Sequence, residues 1–268
     1  MGLKNIILFL GGILFLTACY KSFQGEFEIS PEPYLSCFPG AYYRKAASSF
    51  DVWTGIEGII ILPEHAVDPS RFGSKGPLDN FSIYMGGRAG NQEVDAGVLW
   101  EITKDEFGNI DYNKRAYRPF WRVTSWNNAP AKEEYYWYPG DKIRIRVEVV
   151  SMGLLRLTVE DAKPQPVKSF SVEFSASQFG IGLTQQFKRV NAIDQSGNEG
   201  KPVQPTKAKV IGALWEEVFL LRGNKSYPFT PNRFTDMRCP DEIYFDIKTL
   251  NTNGGEAISI YGDSNAKD

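Results

Sequence analysis

YRPFWRVTSWNNAPAKEEYYWYPGDKIRIRVEV, residues 117–149, is the stretch whose reading decides the fold. Its last third alternates: Ile143, Ile145, Val147 and Val149 are apolar, and Lys142, Arg144, Arg146 and Glu148 between them are charged. A period of two means a strand with one face buried and the other wet. Pro139, Gly140 and Asp141 mark a turn just before it. Ahead of that turn, the 22 residues from Tyr117 to Tyr138 hold eight aromatics, in a chain that is 14% aromatic. An amphipathic strand beside so many flat apolar side chains suits a sandwich with a groove on one sheet.

Working outward, the same signature recurs. Towards the N-terminus, Phe50 to Leu62 is apolar, β-branched and glycine-punctuated, which reads as a kinked strand. Phe81, Ile83 and Met85 alternate with Ser82 and Tyr84 ahead of Gly86 and Gly87, and Val98, Trp100 and Ile102 share a face of the next segment. Asp105 to Asn113 is a polar hairpin loop around Gly108. Towards the C-terminus come Leu155, Leu157 and Val159, then Phe170, Val172 and Phe174. An extended polar segment, Gln185 to Asp194, precedes an apolar one, Ala208 to Arg222; Ile243, Phe245 and Ile247, then Ile258 and Ile260, complete the set. No window keeps a 3.6-residue period for three turns. The pattern predicts an all-β chain folded as an antiparallel two-sheet sandwich of the jelly-roll type.

The first residues belong to a different class of signal. Lys4 precedes an uncharged apolar run, Ile6 to Leu16, too short to span a bilayer, and Thr17 and Ala18 then lead to Cys19. This reads as a secretory signal, and Leu16-Thr17-Ala18-Cys19 resembles the lipobox of bacterial lipoproteins. That resemblance implies cleavage before Cys19, lipid on its sulfur, and a domain held at the membrane surface of the bacterial cell envelope, outside the cytoplasm. The expected organisation is a signal peptide at 1–18, a lipidated tether and edge segment at 19–45, and the sandwich at 46–268. Pro, Ser, Tyr and Glu fill residues 20–45 without sustained period. The two remaining cysteines, Cys37 and Cys239, are expected to form a disulfide in an oxidising compartment.

Composition excludes several functions. With 32 acidic and 30 basic residues, the chain lacks the basic excess of a nucleic-acid binder. A single histidine, His65, rules out multi-histidine zinc sites, and it sits between Pro63 and Pro69 with no nucleophile elbow in the chain, so it reads as a surface histidine. Asp194 to Gly200 is rich in oxygen ligands but lacks the spacing of an EF loop and reads as a hairpin. No metal and no cofactor is expected.

Trp137-Tyr138-Pro139-Gly140-Asp141 running into Ile143–Glu148, followed by Leu157-Thr158-Val159-Glu160-Asp161, resembles the core of the glutamic peptidases, or eqolisins. Ser82 to Gly86 and Ala96 to Val98 resemble the family's paired early strands, and Gln186 to Val190 falls where it has Glu-Trp-Ile-Val. The resemblance covers roughly residues 80–220 and implies a concanavalin-like sandwich with a substrate groove on a curved sheet. In that family a glutamate activates water and a glutamine helps hold it. Here the glutamine falls on Asp95 and the glutamate on Gln186, so a carboxylate and an amide are present with places exchanged.

Two readings of function follow. In one, Trp121, Trp126, Trp137 and Arg189, with Gln186, line a groove for an extended glycan or peptide. In the other, Asp95 and Gln186 form the pair of a glutamic-peptidase-like hydrolase, with Glu101 as a further candidate carboxylate. Both sides of the strand around Phe120 and Trp121 carry an aromatic, so one of these faces the core and one the groove.

Overall fold

A computed structural model describes residues 28–74 and 76–267. Cys19 and the signal segment lie outside these residues. In chain order the strands are β1 (Ala41–Ala47), β2 (Gly55–Ile61), β3 (Glu64–Ala66), β4 (Phe72–Gly73), β5 (Gly76–Pro77) and β6 (Asp79–Ala89). There follow β7 (Gln92–Lys104), β8 (Ile110–Arg122), β9 (Trp126–Asn128), β10 (Lys142–Ser151), β11 (Leu154–Asp161) and β12 (Ser169–Ser175). The last are β13 (Gln186–Gln195), β14 (Lys209–Arg222), β15 (Lys225–Pro228), β16 (Thr235–Cys239), β17 (Phe245–Thr249) and β18 (Glu256–Tyr261). Among the described residues the helical elements are three short 3-10 turns.

All the strands but β4 and β5, which pair only with each other, form two antiparallel sheets stacked as a sandwich. The first runs β16-β1-β13-β6-β7-β8-β9; the second runs β12-β11-β10-β2-β14-β18-β17, with β3 and β15 also on β14. The alternation of residues 142–149 does what it predicts: Ile143, Ile145 and Val147 are fully buried, facing Phe81, Ile83, Val94 and Val98 from the first sheet in one continuous core. The wet face of β10 and β11 carries a lattice of ion pairs, with Arg144 on Glu160 and Arg146 on Glu57 and Glu148. These pairs are solvated and add little stability each, but interleaved charges keep the sheet face soluble.

Several local expectations are revised. β1 pairs on both sides, with β13 and β16, so Ala41 to Lys45, expected in an edge segment, run in the interior of the first sheet. The polar loop after β7 is shorter than expected because β8 starts at Ile110. Ile243 sits exposed in a 3-10 turn, and Phe245 supplies the buried contact there. His65 is buried, not on the surface: β3 pairs with β14 at Val210, which turns the imidazole inward edge-on to Trp100, 4.6 Å between ring centres. Burial there lowers its pKa to about 4, so it is neutral at ordinary pH.

The disulfide expected between Cys37 and Cys239 is present, with the Cα atoms 5.7 Å apart. It fastens the segment before β1 to β16. Around it Tyr43, Val190, Ala192 and Met237 form a second, small apolar cluster on the outer side of the first sheet, packed against Leu35. The segment 36–40 is thereby held as a wall over that sheet.

Candidate functional site

The outer face of the first sheet, under that wall, holds a cavity of about 550 Å3. Period two decides which side chains reach it: Ser82 and Tyr84 from β6, Asp95 and Leu99 from β7, Phe120 and Arg122 from β8, Lys188, Ala192 and Asp194 from β13. The alternate residues on the same strands form the core.

Glycines in the sheet make the floor. Gly86 pairs with Lys188 on one side and Asp95 on the other, and a Cβ at Gly86 would lie 2.0 Å from the Val94 carbonyl oxygen. With no side chain between them, Lys188 Nζ reaches Asp95 Oδ1 at 2.6 Å across the width of β6. Gly97 opens the next stretch of floor in the same way. It pairs with Tyr84 and Phe120, and over it the Tyr84 and Phe120 rings meet edge to face, 5.9 Å between centres. Trp126 then stacks flat on Phe120, with centres 4.4 Å apart and 4° between planes, and remains 46% exposed as a platform at the groove rim.

The charges form a connected set. Asp95 is buried and takes Lys188 on one oxygen and Arg122 on the other, Nη2 at 2.8 Å and Nε at 3.2 Å. Burial alone would raise its pKa, but the Lys188 ammonium and Arg122 guanidinium outweigh it and hold the carboxyl below its ordinary value. Lys188 also pairs with Glu93, and Arg122 with Glu199 at 3.4 Å. Lys45 lies 3.9 Å from Glu93, and burial among these groups lowers its pKa to about 8. Asp194 differs from all of these. It accepts a hydrogen bond from the Ser82 hydroxyl, and no cation among the described residues pairs with it. Burial, with a smaller push from Asp95, raises its pKa to about 6.

The residues singled out in the sequence separate accordingly. Asp95 and Trp126 line the cavity. Gln186 sits one row away, opposite Arg88, and its Nε2 donates to the Ser48 carbonyl at 2.7 Å. The residue the sheet sets across from Asp95 is Lys188, two positions on. Trp121, Trp137 and Arg189 are corrections: none faces the groove. Trp121 points between the sheets onto Phe170 and Phe174 of β12. Trp137 is fully buried and donates from Nε1 to Asp161 Oδ1 at 3.0 Å. Arg189 is on the core face of β13, where it and Arg44 hold Glu256 from either side. Glu101 is engaged by Arg118, 2.6 Å away, and by the Tyr136 hydroxyl. Of the adjacent pair Phe120 and Trp121, Phe120 is the one that faces the groove, while sequence reasoning missed Arg122, Tyr84 and the pairing of Lys188. The signal was present in the shared face of Gln186, Lys188 and Asp194, but the register across Gly86 was needed to use it.

Among solved structures, the fold is similar to Scytalido-glutamic peptidase. The likeness to its complex with a peptide based transition state analog has a TM-score of 0.52 at 12% identity, covering 82% of this chain and 98% of that one. Its complex with a transition state analog inhibitor matches at a TM-score of 0.54, again at 12% identity and with the same coverage. No family model matches the sequence, and no curated protein matches it. The chain therefore has a glutamic-peptidase-like fold, an antiparallel concanavalin-like sandwich.

Proposed function

We propose that this is a binding protein of the bacterial cell envelope, tethered to the membrane through lipid on Cys19, whose groove takes an extended peptide or glycan. The state of Asp95 carries this reading. A general base needs a carboxylate free to accept a proton near the attacking water. Asp95 instead has one oxygen on Lys188 and the other on Arg122, and Gln186 is engaged by backbone at Ser48. What the groove offers is a flat aromatic rim at Trp126 and Phe120 over a polar floor, which suits binding along an extended chain. Incubating the full chain with glycan and peptide arrays tests this. Retention of an extended ligand without turnover, weakened about tenfold (about 1.4 kcal/mol) by Trp126→Ala, is the expected result.

One observation favours the hydrolase instead. Two carboxyl groups of opposite character face one groove, Asp95 held ionised and Asp194 raised to about 6, and such divergence suits an acid and a base. Incubation with denatured protein from pH 2 to 8 separates the readings: cleavage lost on Asp194→Asn establishes the hydrolase, and intact substrate throughout leaves the binding protein.

A further inference from the structure

The groove's charges do not balance, and the imbalance has an address. Its lining carries three cations, Lys45, Lys188 and Arg122, and four carboxylates, Glu93, Asp95, Asp194 and Glu199. Glu93 is paired with Lys188 and Lys45, Asp95 with Lys188 and Arg122, and Glu199 with Arg122. Every cation is thus engaged and one carboxylate is left over. Among the described residues Asp194 has only the Ser82 hydroxyl, a neutral donor that cannot offset its charge. It shares the cavity with Tyr84, whose ring already draws the Lys188 ammonium to 5.7 Å from its centre.

We infer that Asp194, hydrogen-bonded by Ser82 in the cavity that Tyr84 and Phe120 also line, is a subsite for the cationic side chain of a lysine or arginine in an extended peptide. This deepens the groove reading above and rests on it. A peptide ammonium or guanidinium supplies the missing charge and restores the carboxylate that burial disfavours. A neutral glycan can offer hydroxyls there but no positive charge, so the site favours a basic peptide. The groups facing Asp194 from neighbouring elements are Asp95, Glu199 and Arg122, all tied to one another, so the ligand's charge is felt chiefly by Asp194.

The test is calorimetry on the full chain with alanine-based hexapeptides carrying one lysine, one glutamine or one glutamate, and with a neutral glycan and a deacetylated amino-sugar oligomer. The lysine peptide is expected to bind at least tenfold tighter than its glutamine counterpart at pH 7.5. That preference should fall below threefold at pH 5 and vanish in Asp194→Asn, with the glutamine peptide unaffected. Equal binding of all peptides, or a lysine preference that survives Asp194→Asn, overturns the subsite and leaves the groove reading standing. Tighter binding of the amino-sugar oligomer than of the lysine peptide overturns the choice of peptide. No binding of any probe overturns the groove reading and the subsite with it.

Discussion

Replacing Asp194 by asparagine should make the protein more stable, and by an amount that depends on pH in a known direction. Its folded pKa of about 6 lies above the ordinary aspartate value of 3.8. The folded state therefore prefers the protonated acid. The stability this group supports is fully present below about pH 4 and is lost as pH rises through 6. Two units at 1.36 kcal/mol each set a ceiling of roughly 3 kcal/mol on the cost at pH 8. Water reaching the half-buried side chain brings the expected figure to about 2 kcal/mol. Asparagine has nearly the same shape and can still accept from Ser82, but it does not titrate. Urea unfolding at pH 8, 6 and 4 should thus show Asp194→Asn about 2 kcal/mol more stable than the parent at pH 8, less so at pH 6, and equal at pH 4. A variant that is no more stable at pH 8, or whose advantage is the same at every pH, refutes the account of Asp194 as an uncompensated carboxylate. Stability given up at a groove residue is the usual mark of a site shaped for something other than folding.

Other perturbations probe the same architecture. Lys188→Met strands Asp95 with Arg122 alone and should cost about 2–4 kcal/mol in urea unfolding, whereas Lys188→Met with Asp95→Asn should recover at least half; simple additivity would show that the pair is not coupled. His65 is held neutral by burial, helped by Arg115 and opposed by Asp79, so its contribution is complete above its ordinary 6.5 and is lost as pH falls towards 4. His65→Leu should therefore remove about 3 kcal/mol of acid sensitivity between pH 7 and 4, read as a lower acid-unfolding midpoint. Replacing Cys37 and Cys239 by alanine should cost about 2–4 kcal/mol and speed hydrogen exchange at 36–40, the segment that walls the groove.

Residues 142–149 show how far pattern alone reaches. Their alternation requires a two-faced strand, and Ile143 and Ile145 are fully buried as it demands. The same logic separates the two faces of β13, placing Lys188 and Asp194 together with Gln186. It cannot say which face is core, because Arg189 and Asn191 look more polar than a core permits. Their burial is acceptable only because Glu256 meets Arg189 and the Trp215 indole donates to Asn191 Oδ1 at 3.0 Å, partners that arrive from the other sheet. The aromatic stretch was ambiguous for a related reason: Phe120 and Trp121 are adjacent, and opposite faces of β8 put one under Trp126 and the other against Phe170.

By itself the sequence determined the class of fold, the sulfur partners Cys37 and Cys239, and the candidacy of Asp95 and Trp126, because period two, cysteine count and residue type are local properties. The tertiary structure alone decided that Lys188 and Arg122 close on Asp95 and that no cation among the described residues pairs with Asp194. Those facts depend on register between strands far apart in the chain, and a one-residue slip at Gly86 would have set a different pair of side chains across the groove floor.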